Sequence, residues 1–248
     1  MVTFSQLQAD VRANVIDLPT EVTNRVPRLI NKAIRKLERK HNFKVMEALA
    51  SGTTAASTRA LMAVPADFKE LRGNKAWYVT EDQGNLQRIR IIKSKEALIP
   101  IAISELAVGV PKVVLEGVPS SGLSVRNFEV YPLSDGLSDY GDGQYRVRIP
   151  YYKYLADLSA DGDTNWFTEN AEDWIINQAT SEGFAMDWDE QRMTFWAQRA
   201  ATEYNDVVKA DKMQYLAGIE TLVPHFEAAR GAHLTLANVM GETSEPSA

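Results

Sequence analysis

Apolar residues recur every three to four positions near both ends of this chain and every second position through its middle, so the backbone must change secondary structure twice. That switch constrains the fold more than any single motif does. Phe4, Leu7, Val11 and Val15 have helical spacing, with Ser5 as the expected cap and Asp17-Leu18-Pro19 as the break. Thr20 opens a longer helical stretch in which Val22, Val26, Leu29, Ile30, Ala33, Ile34 and Leu37 form one stripe. Pro27 is either a kink in that helix or its true first turn, because proline lacks the donor a helix interior needs.

Residues Ser51 to Thr58, rich in Ser, Thr, Gly and Ala, read as a loop. Beyond it, alternation predicts strands at Arg59–Val64, Leu71–Val79, Leu86–Ile92, Lys112–Val118, Val125–Tyr131 and Gln144–Tyr154. Turn residues separate several of them, at Asp82–Asn85, Pro119–Gly122 and Ser134–Gly143, while residues 94–106 suit a helical turn or two broken by Pro100. A polar loop, Leu158 to Thr168, leads back to helical spacing over about Glu169–Met186 and about Glu190–Leu216. Trp166, Trp174, Trp188 and Trp196 coincide with these helices and are expected to fill their core rather than to serve as stacking platforms. The expected class is α+β, with a helical bundle from the N- and C-terminal helices (residues 1–50 and 155–218). An antiparallel β domain (51–154) is inserted into it, and residues 219–248 form an extended C-terminal arm.

The net charge of −6 conceals a polarised chain. Residues 1–154 carry +6, residues 155–218 carry −9 and residues 219–248 carry −3. Such asymmetry implies pairing within the subunit or complementary faces on neighbouring copies. Its sharpest expression is the second helix, where Arg25, Arg28, Lys32, Arg35, Lys36 and Arg39 follow the spacing that aligns side chains on one face. Phosphate binding is one reading of that ridge. Between Arg25 and Arg39 it interleaves no aromatic or Gln and a single Asn, Asn31, so a solvated face, or one docked against acidic helices of a neighbouring copy, is preferred to sequence-specific DNA reading.

Catalytic chemistry finds little to stand on. The absence of cysteine excludes disulfide scaffolds, thiol catalysis and cysteine-ligated metals. His225 and His233 lack an H-E-x-x-H context, and there is no P-loop, G-x-S-x-G or G-x-G-x-x-G. No catalytic residue and no cofactor is expected. Asp161, Asp163, Asn165, Phe167, Glu169 and Glu172 do fall at the ligand positions of an EF-hand loop. Trp166 occupies the place where such a loop needs glycine, so the metal set Asp161, Asp163, Asn165 and Glu172 is the alternative, and a polar helix entry is preferred. The opening MVTFSQLQAD has neither the basic nor the apolar region of an export signal, and no run is long enough for a membrane span.

The order of motifs resembles the head-to-tail adaptor (head completion, connector) proteins of tailed bacteriophages. The matching pieces are Thr3, Phe4 and Leu7, then V-P-x-L-I-x-x-A-I from Val26 to Ile34, and V-P-A-D-F from Val64 to Phe68 leading to Trp77 and Tyr78. F-E-V-Y-P (Phe128 to Pro132), Y-R-V-R-I-P-Y-Y (Tyr145 to Tyr152) and N-W-F (Asn165 to Phe167) follow. The acidic connection from Pro132 to Tyr145 and residues 219–248 depart from the pattern. The resemblance implies a non-enzymatic virion protein of the head-tail neck, assembled in the host cytoplasm as a homo-oligomeric ring, commonly a dodecamer. Its partners would be the portal protein, a tail or nozzle protein, and double-stranded DNA passing through the channel without sequence-specific binding. Portal or subunit contacts would fall on the basic ridge and on the apolar anchors Leu222, Phe226, Leu234 and Leu236 of the arm. Two other classes remain open: a DNA-binding accessory protein using the basic helix 25–44, and an envelope-degrading hydrolase with unidentified carboxylates.

Overall fold

A computed structural model describes residues 2–55, 59–79, 86–93, 108–119, 126–133 and 144–220. They form two compact units, one within Met1–Lys44 and Leu158–Ala248, the other within Val45–Asp157.

In the helical unit, α1 (Phe4–Asn14) opens at Thr3 rather than Ser5. The Gln6 N–H donates to the Thr3 hydroxyl at 3.4 Å and the Thr3 N–H donates to Gln6 Oε1 at 2.8 Å, a reciprocal box that only the Thr3/Gln6 spacing allows once Phe4 is helical. A four-residue turn, α2 (Thr20–Thr23), precedes α3 (Val26–Lys40), so Pro27 lies in a first turn and costs no hydrogen bond. Val26, Leu29, Ile30, Ala33, Ile34 and Leu37 are all buried on α3, each large aliphatic contributing about 1.5–3 kcal/mol.

The helix expected from Glu169 is two helices, α4 (Trp166–Asn170) and α5 (Glu172–Met186), broken where Ala171 leaves helical conformation at φ −137°. Asn165 starts α4 by accepting from the Phe167 and Thr168 N–H groups at 2.9 and 3.1 Å. Helix α5 packs against α1, α3 and α6 (Glu190–Glu220), and its buried residues run around most of its circumference. Small side chains allow the close approach. A Cβ on Gly183 would stand 3.2 Å from Val15 Cγ1.

The β unit holds one eight-stranded sheet with β1 (Glu47–Thr53), β2 (Ala60–Ala63), β3 (Phe68–Leu71), β4 (Lys75–Val79), β5 (Leu86–Ile92), β6 (Val113–Pro119), β7 (Arg126–Tyr131) and β8 (Arg146–Lys153). The path is β1-β8-β4-β5-β6-β7-β2, with β3 also on β8. Alternation locates most of these strands, yet three features differ from expectation. The expected loop at Ser51 is the second half of β1, because Ser51, Gly52 and Thr53 pair with Arg148, Val147 and Arg146. The single strand expected at Leu71–Val79 is two, turned at Gly73 (φ +84°), so that β3 and β4 share β8. The Arg72 N–H donates to the Pro150 carbonyl at that break. The sheet is also mixed rather than antiparallel, since β5 and β6 run parallel with Arg90 opposite Val113. A connection of some twenty residues, 93–112, gives ample chain for that crossover.

The sheet curls toward a barrel, bringing Gly52 of β1 against Leu61 and Met62 of β2. Its concave side holds a core of Ala50, Leu61, Ala76, Ile89, Val114, Phe128, Val130, Val147 and Ile149. The turns expected at 82–85, 120–122 and 134–143, the helical turns at 94–106, and arm residues 221–248 with Leu222, Phe226, Leu234 and Leu236 lie outside the described residues. Helix α6 itself carries the chain to Glu220.

Candidate interaction surfaces

Helix α3 directs its basic ridge partly inward. Lys32 and Lys36 both reach the Glu182 carboxylate of α5, at 2.5 and 3.3 Å. Burial pushes the Glu182 pKa up, but the two lysines outweigh it and hold the group below the usual glutamate range. Arg35 pairs at 3.0 Å with Glu38, whose side chain is fully buried. Lys40 stands over the Trp174 and Tyr204 rings at 5.9 and 5.3 Å. Just past the helix, Asp211 of α6 is 1% exposed and accepts from the Lys44 N–H at 2.8 Å, with His41 Nε2 at 3.1 Å. The acidic back of the chain therefore answers two lysines of the basic ridge within one subunit. Arg25, Arg28 and Arg39 are exposed and make no ion pair among the described residues.

The acidic loop before α4 serves as a clasp. The Asp163 carboxylate accepts from the Ser159 and Ala160 N–H groups at 2.7 and 2.8 Å, which lowers its pKa. The carbonyls of Asp163 and Asp161 accept from the Phe4 and Ser5 N–H groups at 2.9 and 3.0 Å, satisfying donors that the first turn of α1 leaves open. Asn31 exchanges two side-chain hydrogen bonds with the Leu158 backbone, each 2.9 Å. Asn165 is occupied as a helix cap. Glu172 is raised by burial and by Asp173 and Asp10. Among the described residues no three His, Asp or Glu side chains converge as metal ligands.

The tryptophans divide. Trp174 is buried, and Trp166 packs on Phe43 and Phe167 with ring centroids 5.4 and 5.3 Å away. Trp188, expected in the core, is instead 87% exposed, because it occupies the turn after α5 in left-handed conformation (φ 60°). The Asp189 N–H donates back to the Phe184 carbonyl across it, closing the helix end. Met186 and Phe195 are exposed on the same hairpin, and Ile16 is exposed beside Asp17, which pairs with Arg192 at 3.7 Å. This end of the helical unit thus presents an apolar surface.

A second surface was not read from the sequence. On the outer side of the sheet, Arg148, Trp77 and Arg88 stand in one cross-strand row over β8, β4 and β5, with Lys75 opposite Arg90 in a neighbouring row. Arg146 is two residues from Arg148 and therefore on the same side. The period-two pairs Arg88/Arg90 and Arg146/Arg148 are visible in sequence; the strand order that unites them around Trp77 is not. Cavities of about 390 Å³ and 340 Å³ adjoin these strands, the first bordered by Ser51, Gly52, Thr53, Leu61, Arg146, Val147 and Arg148, the second by Asn74, Lys75, Arg88, Ile89 and Arg90.

Residues 2–220 match the family model described as SU10 adaptor protein. A comparison with curated proteins finds no match.

Proposed function

We infer the function from one premise: the chain belongs to the SU10 adaptor protein family, a family of phage head-to-tail adaptors. It is a structural component of the virion, and its family implies contact with portal and tail proteins. Our reading goes further. The protein forms a homo-oligomeric ring beneath the portal, extends the DNA channel and offers a platform to the tail. In this plan the helices from both ends of the chain form the bundle that meets the portal, the inserted β domain faces the tail, and the arm beyond α6 docks into a partner groove. The role needs no catalytic group.

The observation that carries this reading is the extent of the family match, which runs through both units rather than through one. Two surfaces of the helical unit support it. Ile16, Met186, Trp188 and Phe195 expose apolar area at one end, and such patches mark protein contacts. Arg25, Arg28 and Arg39 offer unpaired cations to an acidic neighbour, as the basic ridge requires if it meets a portal or the next subunit. Lys32 and Lys36 are engaged with Glu182, which weakens the competing view of the ridge as a DNA-binding helix.

Electron microscopy of the full chain mixed with the portal of its own phage is expected to show a ring on the portal. Bare portals at saturating protein would overturn the reading. Removal of residues 221–248 is expected to reduce portal occupancy while the helical signal of the remaining chain persists.

A further inference from the structure

We infer that the outer sheet face over β8, β4 and β5 binds single-stranded nucleic acid, with Arg148, Arg88, Arg90 and Lys75 on the phosphates and Trp77 beneath a base. The registers fix the arrangement. Trp77 lies opposite Arg148 on one side and Arg88 on the other, and Lys75 lies opposite Arg90. Residues directly opposite in an antiparallel pair share a face, so these side chains emerge together while Ala76, Ile89, Val147 and Ile149 point to the core.

Charge selects the ligand class. All four cations are exposed and none forms an ion pair among the described residues. The alternate positions of β8, β4 and β5 on this face include no carboxylate. Elsewhere Arg72 holds Glu47 at 2.8 Å, and Lys32 and Lys36 hold Glu182, while the exposed Arg25, Arg28 and Arg39 of the helical unit have no aromatic set among them as Trp77 is here. A sheet face that keeps its cations unpaired around one half-buried indole has the composition of a single-strand platform, in which guanidiniums track the backbone and an aromatic takes a base. Cations two residues apart on a strand stand about 6.8 Å from each other, close to the spacing of successive phosphates on an extended strand. A duplex, with its bases stacked inward, could use the cations but not Trp77.

The test uses the isolated full-length chain, so it stands apart from ring formation and from the portal reading. A labelled oligothymidylate is titrated by fluorescence anisotropy at several salt concentrations, beside a duplex of equal length and poly-glutamate. With four phosphate contacts, log K against log salt should fall with a slope of about −3, and Arg88→Gln with Arg148→Gln should reduce it to about −1.4. Trp77→Ala should weaken single-strand binding by about fivefold or more, with Trp77→Phe restoring most of it. Thermal melting of each variant verifies folding, and the single arginine substitutions replace the double one should it melt early. The inference is overturned by unchanged affinity in the arginine variants. It is equally overturned by a neutral Trp77→Ala, or by duplex or poly-glutamate binding as tightly as the single strand, which would mark the face as a general anion or acidic-protein surface.

Discussion

The helical unit and the β unit handle charge in opposite ways. On α3 two lysines reach a neighbouring helix, where Glu182 of α5 takes both Lys32 and Lys36, and just past α3 the Asp211 carboxylate of α6 meets the Lys44 N–H and the His41 ring. Among the described arginines of this region only Arg25, Arg28 and Arg39 stay exposed without an ion pair. On the sheet, neighbouring strands bring cations beside cations, so Arg148 and Arg88 flank Trp77 with no acid between them. Charge on a helix surrounded by helices becomes part of the packing, whereas charge on the open side of a curled sheet stays available.

The largest test of this contrast is Trp174→Ala. Trp174 is buried at the centre of the helical unit, and its loss should cost about 3–5 kcal/mol, measured by urea unfolding followed through helical circular dichroism. A comparable loss on neutralising Arg148 would break the comparison, since an exposed, unpaired cation should change stability by only about 0.5 kcal/mol or less. Asp211→Ala comes next. It leaves the Lys44 N–H without its acceptor beside a buried position and should cost about 1–3 kcal/mol, with Asp211→Asn recovering part because one oxygen remains.

Glu182→Gln is the smallest and carries a pH signature. Because the folded pKa of Glu182 lies below its unfolded value, its stabilisation is present above the ordinary glutamate range and is lost as pH falls through the lowered folded value. Lys32 and Lys36 are substantially exposed, so the effect is about 0.5–1 kcal/mol. Acid denaturation of the variant should lose less stability over that interval than the parent chain. An identical acid profile would remove the Lys-Glu-Lys clamp from the account of the helical unit.

Sequence reading reached the elements whose signals are local. The apolar stripe of α3 and the alternation of β5 lie at the positions expected, since each reports one burial direction along one segment. It failed where distant segments decide. The split of β3 from β4 depends on both pairing with β8, and the parallel β5/β6 pair depends on a crossover that alternation cannot reveal. Trp188 illustrates a third kind of miss: its composition suits a core, but its place after α5 demanded a left-handed residue and put it in solvent. The basic ridge was legible as a face, yet its pairing with α5 required the tertiary structure. The sheet cations stand in the sequence as separate residues and become a group only through the strand order, because β8 lies far along the chain from β4 and β5.

The helical unit draws α1 and α3 from the start of the chain and their principal partner α5 from more than a hundred residues later. During synthesis the apolar faces of α1 and α3 emerge first, and the whole sheet segment must be translated before α5 arrives to cover them. At ordinary elongation rates that interval is on the order of ten seconds. For this time Leu7, Val11, Ile30, Ala33 and Leu37 stand without α5. The nascent chain should therefore be most dependent on chaperones while its middle is being made, and a ribosome stall between residues 45 and 170 should provoke more aggregation than one after α5 has left the exit tunnel.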